Sequence, residues 1–245
     1  MPLFTPTNFY RTRGVLGPVL PNIDQTNLLR WFDADFDATS SDWVDQTGTQ
    51  DANVSGPTYV SPSPGYYDFP GGSGNEIGNP NTETSDLSLS SMVIQVWARH
   101  ATNNNSNFAI VSQRSVVGSA GVRYSIHCNP SNNTVGIYNG FGFNTVGGVT
   151  QSSGNWYFFE FIITDRSTGG KLTVYQNNSL IGSTAANTGL NTTAGDEPFG
   201  IGTPNYGYTT YNTEFWNGDI AMCLVYSGST RPSGNWDATR SRFGL

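Results

Sequence analysis

The sequence predicts an all-β protein built as a sandwich or a barrel, and three features support this fold class. Gly, Asn, Ser and Thr are abundant, aromatic residues make up 13% of the 245 residues, and charged residues make up only 12%. No stretch repeats strong helix formers at the helical period. Short apolar segments recur along the chain with turn-forming residues between them, as is typical of antiparallel strands.

The clearest strand covers residues 91–100, where Met92, Ile94 and Val96 share one face. The same reading predicts further strands at 28–32, 58–60, 66–69, 108–113, 122–128, 134–140, 156–164, 171–176, 179–183, 198–202 and 219–227. Since no Pro/Ser/Gly-rich linker interrupts residues 27–245, we interpret this range as one domain.

Residues 1–26 differ from the rest because they contain four prolines and show no strand or helix periodicity. Proline fixes its own backbone angle and lacks an N–H donor, so an extended arm is predicted. The arm is too apolar for a flexible spacer and should lie along a surface, either of its own domain or of another subunit. The predicted docking residues are Phe4, Phe9, Tyr10, Arg11 and Arg13.

The charge balance excludes some partners. The net charge is −7, the pI is about 4.6, and Lys171 is the single lysine, so no nucleic-acid groove is expected. No apolar run is long enough to span a membrane, and the N-terminus lacks the pattern of a signal peptide. Cys128 and Cys223 are interpreted as two buried thiols, with a disulfide as the alternative.

Several motifs carry a resemblance to a known family. They are LLRWFDADFDATSSDWVDQTG at 28–48, YYDFPGG at 66–72, MVIQVWAR at 92–99 and the hairpin at 156–183. Together they resemble the concanavalin A-like lectin/glucanase superfamily, in particular laminin-G-like domains of the kind found in phage virion proteins. The resemblance implies a two-sheet antiparallel jelly-roll sandwich, preceded here by the N-terminal arm. The fold by itself implies no single function, since it carries lectins, glycosidases and structural proteins alike.

We expect no catalytic residue in this chain. Glycosidases usually need two carboxyl groups about 5–9.5 Å apart, whereas the glutamates here are isolated from one another. His127 neighbours Cys128, but adjacent strand residues point to opposite faces. Glu160 lies inside a predicted strand without a carboxylate on the same face. It is interpreted as a polar residue on the less buried face, satisfied by a partner across the sheet or by solvent.

An acidic cluster offers a candidate metal site. Asp33, Asp35 and Asp37 superficially resemble the start of a calcium loop, because Ca²⁺ prefers several carboxylate and carbonyl oxygens. The glycine and the final glutamate of such a loop are missing. The alternative is structural: Asp33 and Asp45 would stabilise turns by accepting backbone N–H bonds.

Two loops have the composition of a ligand site, at 139–148 and 203–218. Aromatic rings bind the C–H face of a sugar, and amides bind its hydroxyls, but the same residues suit a protein partner. The sequence does not decide between a sugar and a protein partner. Trp216 is interpreted as a core residue. The candidate ligand-binding residues are Phe141, Phe143, Asn144, Tyr206, Tyr208 and Tyr211.

These features lead to a functional hypothesis. The arm and the lectin-like domain favour a non-enzymatic virion structural or appendage protein, bound through its arm to other virion proteins or to copies of itself. Its outer domain would bind cell-surface glycans, and its location would be the virion. The alternative is a cellular or secreted, hence extracellular, carbohydrate-binding lectin, and a glycoside hydrolase comes third.

Overall fold

A computed structural model describes residues 21–61, 63–80, 83–101, 107–115, 121–207, 214–232 and 234–245. The strands are β1 (Leu28–Asp33), β2 (Asp42–Trp43), β3 (Ala52–Ser55), β4 (Thr58–Val60), β5 (Tyr66–Pro70), β6 (Glu76–Asn79), β7 (Ser91–His100), β8 (Phe108–Arg114), β9 (Val122–Asn129), β10 (Thr134–Tyr138), β11 (Phe143–Gly147), β12 (Tyr157–Thr164), β13 (Leu172–Gln176), β14 (Ser179–Ser183), β15 (Phe199–Ile201) and β16 (Asn217–Ser227). One short helix, α1 (Asn235–Thr239), follows the last strand within the described residues.

The strands form two antiparallel sheets packed as a jelly-roll sandwich, so the predicted fold class is confirmed. Sheet A has the order β14-β13-β12-β7-β16-β5-β4, and β1 also pairs with β16. Sheet B has the order β11-β10-β9-β8-β15-β6-β3-β2. No helix among the described residues has both the length and the apolar character needed to cross a membrane.

The main core lies between the two sheets. Trp43 packs there against Phe32 and Tyr67, with ring centroids 5.7 and 4.9 Å apart. Cys128 and Cys223 are both buried and both free, which confirms the predicted pair of buried thiols. Trp216 is fully buried, as predicted.

A second, smaller core covers the outer face of sheet A. Trp97 projects from that face and stacks on Phe243, with ring centroids 4.0 Å apart. It also stacks on Trp236 of α1, and its indole N–H donates to the Thr239 hydroxyl over 2.8 Å. The C-terminal segment therefore packs onto the face of sheet A that is turned away from sheet B.

The described part of the predicted arm packs on this same face. Ile23 is 3% exposed and belongs to the smaller core. The backbone of Asp24 accepts a hydrogen bond from Tyr226 and donates one to Asn235. Residues 21–24 are therefore held by their own domain. The predicted docking residues Phe4, Phe9, Tyr10, Arg11 and Arg13 lie outside the described residues.

The calcium hypothesis requires correction because an arginine lies where the cation would be. Both carboxylate oxygens of Asp33 accept from the Arg242 guanidinium over 2.7 Å, and Asp35 binds the same group. Asp37 is exposed and adopts a positive φ. No three His, Cys, Asp or Glu side chains of the described ranges are grouped to hold a metal ion.

The structural alternative for the aspartates is confirmed. Asp45 accepts backbone N–H bonds from Trp31 and Thr47 over 2.9 and 3.0 Å. Asp33 accepts one from Asp35 over 3.1 Å. Asp33 and Asp45 therefore satisfy donors in the turns that follow β1 and β2, and Asp45 also holds the outward amide of Trp31 within β1.

Candidate functional site

A cleft of about 400 Å³ lies on the outer face of sheet B, the face turned away from sheet A. Strands β8 to β11 form its floor, and the segment before β16 contributes one wall. A cleft of this size is sufficient for a small ligand. The described residues that line it are Asn107, Arg114, His127, Tyr138, Phe143 and Glu214.

Strand alternation brings these side chains to one face. Val135 and Ile137 of β10 face the core, so Gly136 and Tyr138 face outward. In the register of the sheet, Gly136 lies opposite His127 of β9, and Tyr138 lies opposite Phe143 of β11. Side chains from three neighbouring strands therefore meet over the middle of the floor.

Glycine at position 136 allows an aromatic ring to lie on the sheet. A Cβ atom added to Gly136 would lie 2.5 Å from Cζ of Phe143. The Phe143 ring occupies the space that any other residue at 136 would fill. The ring is still 42% exposed and meets His127 edge-on, with ring centroids 5.6 Å apart.

His127 supplies a buried polar atom that has no protein partner. Its Nε2 bonds the Ser125 hydroxyl over 2.8 Å, while Nδ1 has no hydrogen-bond partner. Burial lowers the pKa of His127 to about 3, and the nearby charge of Arg114 acts in the same direction. The imidazole is therefore neutral at physiological pH, with one nitrogen left unsatisfied at the cleft.

The described lining of the cleft contains one cation and one carboxylate. The Arg114 guanidinium packs over the Tyr138 ring, 5.2 Å from its centroid. Burial raises the pKa of Glu214, and the charge of Arg114 partly opposes this shift. The backbone carbonyl of Glu214 accepts from the amide of Ala109 over 2.7 Å, which positions the segment before β16 beside β8.

The predicted ligand residues separate into distinct groups. Phe143 lines the cleft. Tyr206 lies farther along the same outer face, where its ring covers Gly78 and its Cβ is close to Gly200. Phe141 instead packs against the Arg166 guanidinium at 4.0 Å, and Asn144 is on the opposite face of β11 from Phe143. Tyr208 and Tyr211 lie outside the described residues.

Sequence reasoning missed five of the described lining residues: Asn107, Arg114, His127, Tyr138 and Glu214. One signal was present, because Ser125 and His127 are two positions apart in a predicted strand and must share a face. The sequence neighbour Cys128 cannot share that face, because it points into the core. Arg114 and Glu214 gave no local signal, since the fold alone brings them together.

A catalytic serine is not favoured by this arrangement. Ser125 bonds His127 but is fully buried and is not among the residues that line the cleft. A nucleophile must reach its substrate as well as its base. The Ser125–His127 pair therefore orients the imidazole.

Glu160 lies on sheet A and not in the cleft. It is 1% exposed, so its predicted position on a less buried face is wrong: α1 and the C-terminal segment cover that face. The predicted partner across the sheet is confirmed, since Gln95 donates to Glu160 over 2.6 Å. Arg231 adds a salt bridge from its Nε over 3.0 Å and from its terminal nitrogen.

Comparisons with known proteins identify no family for this chain. No protein-family model and no curated protein sequence matches it. Solved structures do match. A mutant Trypanosoma rangeli sialidase with trans-sialidase activity superposes with a TM-score of 0.66 at 14% identity. The match covers 89% of this chain and 34% of the sialidase, so this chain spans about a third of that protein's length.

Two further structures resemble the chain to a similar degree. Domain 4 of AbnA, a GH43 extracellular arabinanase from Geobacillus stearothermophilus solved with arabinotriose, gives a TM-score of 0.63 at 14% identity. That match covers 88% of this chain and 99% of the domain. The other is botulinum neurotoxin type C, whose cell entry depends on two ganglioside molecules. It gives a TM-score of 0.60 at 14% identity, and the match covers 88% of this chain and 51% of the toxin chain.

These likenesses show the fold alone. All are far below the identity at which function transfers between relatives. They agree with the strand order in assigning the chain to the jelly-roll, concanavalin-like sandwiches. The narrower resemblance to laminin-G-like domains and to phage virion proteins stays a prediction.

Proposed function

We propose that this protein is a carbohydrate-binding module and that the cleft on sheet B is its binding site. The observation that carries the proposal is the Phe143 ring. The tip of the ring lies over Gly136, the residue is 42% exposed, and the ring is next to the imidazole of His127, whose Nδ1 lacks a hydrogen-bond partner. An exposed ring beside convergent polar groups has the chemistry that a sugar requires.

The lining residues match the two sides of a sugar ring. The C–H face of a pyranose or furanose would pack on Phe143, and its hydroxyls would reach Arg114 and Glu214. The guanidinium offers donors and the carboxylate offers acceptors, so the two side chains suit the hydroxyls of one sugar.

The structural neighbours add general support. The arabinanase domain was solved with arabinotriose, the toxin uses gangliosides, and the third neighbour is a sialidase. Each of these proteins handles saccharides. Because the sequence identity is low, the neighbours support a saccharide as the class of ligand. Which saccharide binds depends on the residues of the cleft.

We propose binding without hydrolysis. Among the described lining residues, Glu214 is the single carboxyl group, and most glycosidases need two. Glu160 is on the other sheet and already binds Arg231. Incubating the chain with any saccharide that it binds checks this proposal, and release of reducing sugar that is lost in Glu214→Gln would contradict it.

A glycan array probed with the full chain tests the binding function. The parent is expected to bind at least one saccharide, and Phe143→Ala to bind about tenfold or more weakly, since removing a contact of about 1.5 kcal/mol or more has that effect. Phe141→Ala is the matched control, because Phe141 is also exposed but lies against Arg166. The proposal fails if the parent binds no saccharide, or if the two variants lose affinity equally.

Attachment to a virion through the N-terminal arm is a separate proposal. Its support is the composition of residues 1–20, which combine prolines with apolar and aromatic side chains. Particles produced with the full chain and with a chain lacking residues 1–20 test it. We expect the truncated chain to be absent from purified particles, and normal occupancy would contradict the proposal.

A further inference from the structure

We infer that the ligand of the cleft is a neutral saccharide and not one that carries a carboxylate, sulfate or phosphate group. This inference rests on the proposed saccharide-binding function and specifies its ligand. It follows from the charges that surround the cleft.

Opposite charges balance in the described lining. Arg114 and Glu214 contribute one charge of each sign, and the other described lining residues are Asn, His, Tyr and Phe. His127 adds no charge, because burial keeps it neutral at physiological pH. The described lining is therefore neutral as a whole while offering both donors and acceptors.

The sequence adjoining the lining residues adds no further charge. Three segments adjoin lining residues in the sequence. Residues 102–106 come before Asn107, residues 208–213 come before Glu214, and residues 116–120 are separated from Arg114 by Ser115. None of these three segments contains Asp, Glu, Lys or Arg. The whole chain carries a net charge of −7, so the long-range field also opposes an approaching anion.

Two further charged side chains of this face are engaged away from the cleft. Glu76 of β6 accepts hydrogen bonds from the Gly207 amide and the Thr203 hydroxyl. Arg123 of β9 points to the Ala194 carbonyl, 3.5 Å away. Neither residue lines the cleft.

The attraction of an anionic ligand to Arg114 would be offset by two unfavourable terms. The ligand would lose hydration on entering the cleft and would face Glu214 as well as Arg114, so repulsion would offset the attraction. A neutral hydroxyl can accept from the guanidinium and donate to the carboxylate at the same time. Hydrogen bonds to charged groups are stronger than those between neutral groups, which favours a polyhydroxylated neutral ligand.

Calorimetric titration of the full chain with neutral and acidic saccharides tests this inference. The probes are arabinotriose, maltotriose, lactose, sialyllactose and trigalacturonate. We expect the neutral saccharides to bind more tightly than the acidic ones, with an affinity that sodium chloride does not change, because no net charge is paired on binding.

A charge-removing variant makes the test sharper. Glu214→Gln leaves Arg114 as the single charge in the described lining, so affinity for sialyllactose relative to lactose should rise about tenfold, as loss of one repulsion of about 1.4 kcal/mol predicts. Asp237→Asn is the matched control. It changes the net charge equally, but Asp237 is exposed on α1 over the opposite sheet.

The outcomes separate the two proposals. Tighter binding of sialyllactose or trigalacturonate by the parent would overturn the inference while leaving a saccharide-binding function. An unchanged sialyllactose-to-lactose ratio in Glu214→Gln, or an equal change in Asp237→Asn, would also overturn it. Binding of none of the probes, together with an empty glycan array, would overturn the proposed function itself.

Discussion

At the scale of single residues, Glu160 shows how a buried carboxylate can be structural. Gln95 holds one of its oxygens across the strand pair and Arg231 holds the other. Gln95 in turn accepts from Asn235 over 2.7 Å, and Asn235 donates to Tyr226 over the same distance. The carboxylate is thus one end of a polar network that joins the middle of sheet A to the C-terminal segment.

Glu160→Gln should destabilise the protein without affecting saccharide binding. The amide keeps the shape of the side chain but removes the charge that Arg231 pairs with, and loss of such a bond costs about 1–3 kcal/mol. Urea unfolding measures the change, with Asp237→Asn as an exposed control expected to stay within about 0.5 kcal/mol. Weaker saccharide binding at unchanged stability would show that Glu160 has a functional role.

The two histidines should make the protein less stable in mild acid. Burial lowers the pKa of His100 to about 4 and that of His127 to about 3, against 6.5 for the free side chain. The unfolded chain therefore takes up protons first, so their stabilising contribution is complete above pH 6.5 and is lost as pH falls toward 4 and then 3. Burial raises the pKa of Glu76 and Glu214. The folded protein therefore binds these protons more readily than the unfolded chain, which favours folding as the pH falls further.

Urea unfolding at about pH 7 and about pH 5 measures this effect. Over that range each histidine should lower the free energy of unfolding by about 1–2 kcal/mol. His127→Gln should reduce the pH dependence by about half, because it removes one of the two groups. The same slope in the variant and the parent would mean that His127 is protonated in the folded state.

At the scale of elements, the hairpin of β10 and β11 forms the aromatic floor of the cleft. Its register places Gly136 under the ring of Phe143, while Val135 and Val146 pack in the core. The inner face of the hairpin therefore contributes to the core, and its outer face contributes to the cleft. Changes on the outer face can alter the site while the core stays packed.

Gly136→Ala should weaken saccharide binding at nearly unchanged stability. Its Cβ would lie 2.5 Å from Phe143, and the partly exposed ring can move away. We expect a change of less than about 1 kcal/mol in the free energy of unfolding, with affinity reduced as in Phe143→Ala. Gly147→Ala is the control, since a Cβ there has no atom within 4 Å. Full affinity in Gly136→Ala would show that the position of the ring does not matter.

At the scale of the whole molecule, the two outer faces of the sandwich differ. The outer face of sheet A is covered by residues 21–26 and by the C-terminal segment, whereas the outer face of sheet B carries the cleft. The chain enters the described structure at residue 21 on the covered face. Residue 21 and the cleft therefore lie on opposite outer faces of the sandwich.

Two truncations should separate the arm from the folded domain. Removing residues 1–25 deletes Ile23 and the backbone of Asp24, which bonds Tyr226 and Asn235. We expect it to cost about 2–5 kcal/mol, the usual range for losing a buried aliphatic side chain. Removing residues 1–20 leaves these contacts intact, so its thermal unfolding should match that of the full chain. Equal stability of the two truncated chains would contradict the packing of Ile23.

The amino-acid sequence by itself determined the all-β class, the buried thiols and the turn-bracing role of Asp45, and it singled out Phe143, which lines the cleft. These features depend on local alternation and turn chemistry, which neighbouring residues encode. Only the tertiary structure decided that Arg242 binds Asp33, that Glu160 is buried, and that Arg114 and Glu214 meet at one cleft. Such contacts depend on strand register and on which segment covers each face, and residues distant along the chain set both.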